Sequence, residues 1–219
     1  MKLFKNIKKW LENQEHLFYL FLFILIVPNI VLCFTEPLSF IAKVCNVLLP
    51  FGCYYLLMTL SRNCGKMLWI LFLFLFFGAF QIVLLYLFGQ SIIAVDMFLN
   101  LATTNVTEAS ELLNNLWPAI ILVCVIYIPT IVIAAIGCKK RVHLTPVFRK
   151  KMACTGLIIG LVSYGLTFTA TNRNTGSYKL QYDVFPVNIY YNLRFAVKKW
   201  QRSMIYPLTS KDFTFQAHK

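Results

Sequence analysis

Asn100, Thr104 and Glu108 stand four residues apart in the stretch "NLATTNVTEASELL", which carries no lysine or arginine in an otherwise basic chain. An amide and a hydroxyl can bond phosphate or hydroxyl oxygens, and a carboxylate can accept from a primary ammonium, so the trio suits a zwitterionic phosphoethanolamine headgroup. On a helix, four-residue steps drift by only about 40°, which makes the three one polar ladder. Projecting 96–114 on a helix gathers the apolar residues from Phe98 to Leu113 on one face, with Asn105 the polar intruder. The spacing predicts an amphipathic helix over 96–114. On periodicity alone, a solvated helix face is the simpler account of the ladder. The triplet Asn105-Val106-Thr107 also matches a glycosylation sequon, a match that arises easily by chance.

What must position such a ladder is a membrane domain. The 219 residues are 59% hydrophobic and have a mean hydropathy of +0.68, well above a soluble domain, whose apolar share is about 45–50%. Five blocks, about 17–34, 40–60, 67–88, 117–137 and 152–171, are long enough to cross a hydrocarbon core of about 30 Å. The fold class expected is an all-α membrane protein: five transmembrane helices over 17–171, with the 96–114 helix between the third and fourth. The first block is too long for a signal-peptide core and lacks a small-residue cleavage site, so it is read as a retained span.

Basic residues flank the spans unevenly. Lys2, Lys5, Lys8 and Lys9 precede the first, Arg62 and Lys66 follow the second, and six more fall between Lys139 and Lys151. The 35–39 turn and the 89–116 loop have none. The positive-inside rule then puts the N-terminus in the cytoplasm and the 89–116 loop and C-terminus outside. The tail from 172 holds eight of the 21 basic residues on that outer side, where long translocated segments follow the rule only weakly. Residues 1–16 pair lysines with Leu3, Phe4, Ile7, Trp10 and Leu11 at helical spacing, as an amphipathic segment on the inner leaflet does.

Other chemistry finds little support. The seven cysteines lie in spans or in loops read as cytoplasmic, without CxxC spacing, and are read as small buried hydrophobes. His16, His143 and His218 are isolated. Channels and coupled transporters need intramembrane charge; the only one is Lys43, near enough to a span end to snorkel. Pro28 and Pro50 fall within spans and imply local irregularity.

After the last span, residues 172–219 change character. Ile189, Leu193, Val197, Trp200 and Met204 recur at helical spacing among Arg194, Lys198, Lys199 and Arg202, with Pro186 suited to the first turn. This predicts an interfacial helix on the outer leaflet, with an extended "YPLTSKDFTFQAHK" after it.

The pattern "DMFLNLATTNVTEASELL", with T-N-x-x-E-A as its most specific part, resembles the membrane domain of the lipid A phosphoethanolamine transferases, the family of the mobile colistin-resistance enzymes. The resemblance extends to the five spans, and "YDVFPVNIYYNL" is similar to the family's bridging region. It implies that Asn100, Thr104 and Glu108 line a substrate headgroup site, that phosphatidylethanolamine is the donor and that lipid A or lipopolysaccharide is the acceptor. A Gram-negative inner membrane is the implied location, and no nucleic-acid partner is expected. The family's chemistry belongs to an alkaline-phosphatase-like domain with a zinc-activated threonine. Asp183, Asp212 and His218 cannot assemble such a site, so this chain is expected to hold no catalytic residue, metal site or cofactor, with 172–219 leading to that domain. A phosphoglycerol or core-sugar phosphoethanolamine transferase, and a stand-alone five-span protein without enzymatic activity, are the alternatives.

Overall fold

The computed structural model describes residues 10–11, 13–88, 92–97, 99, 104–139, 143–173 and 178–209. All regular structure among them is helical: α1 (Gln14–Thr35), α2 (Phe40–Leu60), α3 (Cys64–Ile70), α4 (Phe72–Phe88), α5 (Val106–Lys139), α6 (Pro146–Arg173), α7 (Leu180–Asp183) and α8 (Val187–Thr209). Four helices are long and apolar enough to cross a membrane, and α3 with α4 makes a fifth if the bent pair is one span. The chain is built as a multi-pass membrane protein.

The central helix is α1, which touches α2, α3, α4 and α5. Its Leu17, Phe18 and Phe21 are fully buried. Asn13 caps its start, its side chain accepting from the Glu15 N–H, so the helix begins earlier than the hydropathy block. Most of the expected 1–16 segment lies outside the described residues.

Close backbone approach sets two of the helix pairs. Along α2 and α6, a Cβ added to Gly52 would sit 2.7 Å from the Gly160 nitrogen, and one on Gly156 would sit 2.6 Å from the Tyr55 Cβ. Gly156 and Gly160 form a G-x-x-x-G pattern, the small-residue seam by which membrane helices approach. Gly65 of α3 likewise abuts the Ala134 carbonyl of α5.

Three expectations are corrected. The third span is not one straight helix: α3 and α4 meet at Leu71 with a 66° bend, although neither glycine nor proline stands there. The helix expected over 96–114 does not run through, because Thr104 and Asn105 are non-helical and the helix starting at Val106 continues unbroken into the fourth span. Asn and Thr favour helix starts over interiors, and no breaker separates Val106 from the span. The 34 residues of α5 reach about 51 Å at 1.5 Å per residue, so its first turns project beyond the apolar stretch. Finally, the tail helix continues through Tyr206 and Pro207 to Thr209, where an extended chain was expected. Pro186 stands just before α8, after a cis peptide bond, not within its first turn.

Candidate functional site at the far end of the bundle

The ends of the bundle are distinguished by charge. Arg62, Lys66 and Arg149 gather at one end, where Arg149 donates from Nε to the Thr59 carbonyl at 2.8 Å and from Nη2 to the Leu60 carbonyl at 3.0 Å. These are the last carbonyls of α2, which lack helical partners and which a cation caps well. Asn63 accepts from the Lys66 N–H and donates to the Gly137 carbonyl, both at 3.0 Å. Gln14 accepts from the Cys64 N–H at 3.0 Å.

The far end is joined chiefly by side-chain amides. Asn29 in α1 and Asn46 in α2 lie well inside their helices, and both are buried. Asn29 donates to the Asn46 carbonyl at 3.0 Å and to the Phe185 carbonyl at 2.7 Å. Asn46 donates to the Asp183 carbonyl at 2.6 Å and accepts from the Tyr178 hydroxyl at 2.6 Å. The post-span segment is thereby plugged between the spans. Tyr178, Val184 and Phe185 are essentially inaccessible, with Val184 and Tyr178 packed on Ala42, Cys45 and Ala170. Burial raises the Tyr178 phenol well above its ordinary range and leaves it a hydrogen-bond donor at any working pH.

A second set of amides captures the loop after α4. Ile93 donates its N–H to Gln81 Oε1 at 2.9 Å, while its carbonyl accepts from Asn188 at 3.0 Å and from Asn192 at 2.7 Å. Phe185 and Ile189 pack beside it against Leu32, Leu84 and Leu85. Lys199 adds an ion pair to Asp96 at 3.2 Å, with both side chains more than half exposed, so it contributes little to stability. The expected interfacial helix is therefore seated: Asn188, Ile189, Asn192 and Ala196 of α8 are buried, while residues 197–202 are exposed. Asn29, Asn46 and Gln81 were visible in the sequence as lone amides inside apolar blocks, a type that marks helix contacts in membranes.

The expected ladder is distributed differently. Asn100 lies outside the described residues. Thr104 is half-buried and precedes α5, and Glu108 falls in the first turn of that helix. Thr104 and Glu108 thus stand at the start of a span, not on one continuous helix. Asn105-Val106-Thr107-Glu108 has the spacing of a capping box, in which Asn caps and Glu three residues later reaches back. That pattern signals a helix start at Val106.

Among the described residues, no three His, Cys, Asp or Glu gather where they could hold a metal ion. No protein-family model matches the chain, and neither does any curated protein or solved structure compared with it.

Proposed function

We propose that this chain is the membrane portion of a phosphoethanolamine transferase and docks phosphatidylethanolamine for transfer of its headgroup to lipid A or a related lipopolysaccharide acceptor. The reading rests on the T-N-x-x-E-A resemblance. One structural observation supports it: this motif opens a span at the end of the bundle where the post-span segment is seated. A donor headgroup there would meet the first turn of α5, where backbone N–H groups favour phosphate and Glu108 supplies charge for an ammonium. Asn100 and Thr104 bond its oxygens in this reading. The far end faces the periplasm of a Gram-negative bacterium, with the N-terminus in the cytoplasm, following the distribution of basic residues. Nucleophile and metal belong to a catalytic domain outside this chain.

The test is lipid selectivity of the chain in nanodiscs of mixed phosphatidylcholine and phosphatidylethanolamine, read as bound-lipid enrichment by native mass spectrometry. Glu108→Gln keeps the capping-box geometry and removes the charge; it should lower phosphatidylethanolamine enrichment by roughly 10- to 150-fold, as expected for a charge-assisted contact. Asn100→Ala and Thr104→Ala should each lower it by roughly two- to twelvefold. Glu111→Gln, further along the same helix, should leave it unchanged. Equal, small effects at Glu108 and Glu111 would leave Glu108 with the capping role alone.

A further inference from the structure

The exposed half of α8 carries a charge pattern that its seating does not explain. Arg194, Lys198 and Arg202 recur every fourth residue, each about 6 Å further along the axis, with Arg194 and Lys198 turned away from buried Asn192 and Ala196 and Arg202 on the flank beside Asn188. All three are exposed, and among the described residues no acid pairs with them. The helix sequence itself contains no Asp or Glu. Asn188 and Asn192 are held by Ile93, with exposed Lys199 pairing to Asp96 beside them. These contacts fix the roll of α8, so the basic stripe cannot turn inward. Between the stripe and the buried side runs an apolar strip of Leu193, Val197 and Trp200, each 41–46% exposed.

We propose that this surface is a binding site for anionic phospholipid, with Arg194, Lys198 and Arg202 engaging lipid phosphates while Leu193, Val197 and Trp200 enter the acyl boundary. Order around the helix selects a lipid leaflet over an acidic protein: one side carries an exposed apolar strip, bordered by Arg194 and followed by Lys198 and Arg202 on the polar side, as in helices that lie in an interface, and the helix is anchored to membrane-spanning neighbours through its first turns. A tryptophan at this border sits at headgroup depth. Each basic residue near an anionic surface strengthens association by up to roughly fivefold, and salt weakens it because the groups are exposed. This inference is independent of the transferase reading, since phosphatidylethanolamine carries no net charge for the stripe to recognise.

The test uses the full chain with Trp10→Phe, Trp69→Phe and Trp117→Phe, leaving Trp200 as reporter. It is reconstituted in phosphatidylcholine vesicles containing a minor fraction of brominated phosphatidylglycerol or the same fraction of brominated phosphatidylethanolamine. Phosphatidylglycerol should quench Trp200 several-fold more efficiently, and the difference should shrink with added salt. Arg194→Gln, Lys198→Gln and Arg202→Gln together should equalise the two lipids, whereas Lys150→Gln with Lys151→Gln, at the other end of the bundle, should not. Should the triple variant lose helix by circular dichroism, Arg202→Gln alone, beyond the seated turns, should reduce the preference by roughly two- to fivefold. Equal quenching by both lipids in the parent, or an undiminished preference in the folded triple variant or in Arg202→Gln, overturns the proposal.

Discussion

The basic end and the far end of the bundle both rely on side-chain amides, yet they join different partners. Both must join helices where backbone groups run out of helical partners. At the basic end the joints link span to span: Gly65 lets α3 meet the α5 backbone, and Asn63, Gln14 and Arg149 cap neighbouring helix ends. At the far end the joints cross long stretches of sequence, from Asn29 to Phe185 and from Ile93 to Asn192, through side-chain amides on main-chain carbonyls. Amides leave residual demand. The Oδ1 atoms of Asn29 and Asn188 at the far end, and Nε2 of Gln14 at the basic end, are buried and have no partner among the described residues. The basic end thus joins spans to one another, whereas the far end joins spans to a post-span segment.

The largest effect should come from the basic end. In Gly65→Ala the new methyl falls onto the Ala134 carbonyl and 2.8 Å from the Cys138 nitrogen, both main-chain atoms that cannot step aside. Overpacking of this kind costs about 1–3 kcal/mol, and thermal unfolding in detergent should show it as a drop for the whole bundle. Gly160→Ala is the comparison, because its added Cβ would meet nothing within 4 Å. If both variants unfold alike, contact at Gly65 is not what holds α3 to α5.

An effect of similar or smaller size, but local, is expected at the far end. Asn46→Leu strands the Tyr178 hydroxyl and the Asp183 carbonyl, and an unsatisfied buried group costs about 1–3 kcal/mol, a cost that release of the segment into water relieves. Trypsin should then cut after Lys179 faster than in the parent, while the thermal midpoint of the spans falls less than in Gly65→Ala. A uniform loss with no change in cleavage at Lys179 would erase the distinction between the two ends.

The smallest effect is a pH dependence confined to the far end. Burial raises the Asp183 carboxyl above the ordinary range, opposed in part by the Lys179 N–H and by the charge of Lys179. A carboxyl raised in the docked state is deprotonated first in the released state. Its contribution therefore disfavours docking as pH rises through the ordinary carboxylate range to the raised value, and this cost is absent in more acid solution. Cleavage at Lys179 in the parent and in Asp183→Asn should converge as pH falls from neutral, and a constant ratio between them would exclude this role for Asp183.

Legibility in the sequence tracked the range of the interaction. Long apolar blocks announce α1, α2, the later part of α5 and α6 because hydrocarbon thickness imposes a length. The break at Leu71 was hidden: no residue there interrupts a helix, and the bend accompanies the packing of α3 on α5. The start of α5 was readable in Asn105 and Glu108 as a capping pattern, yet headgroup chemistry and helix start share those residue types. Periodicity joined 96–105 to 106–114 because both stretches are amphipathic. The seating of the tail was the least legible part, since Asn46 and Asp183 are far apart in sequence and nothing local in either names the other.

Ile93 is a single residue engaged on both sides, its N–H held by Gln81 of α4 and its carbonyl by two successive turns of α8. A carbonyl oxygen has two lone pairs, and both are taken. The residue acts as a rivet through three layers. A displacement of α8 that keeps these bonds must drag the loop after α4 with it, while one that abandons them exposes two amides and a carbonyl at once. Motion at this end is therefore either transmitted between the loop and α8 or confined to an all-or-none release.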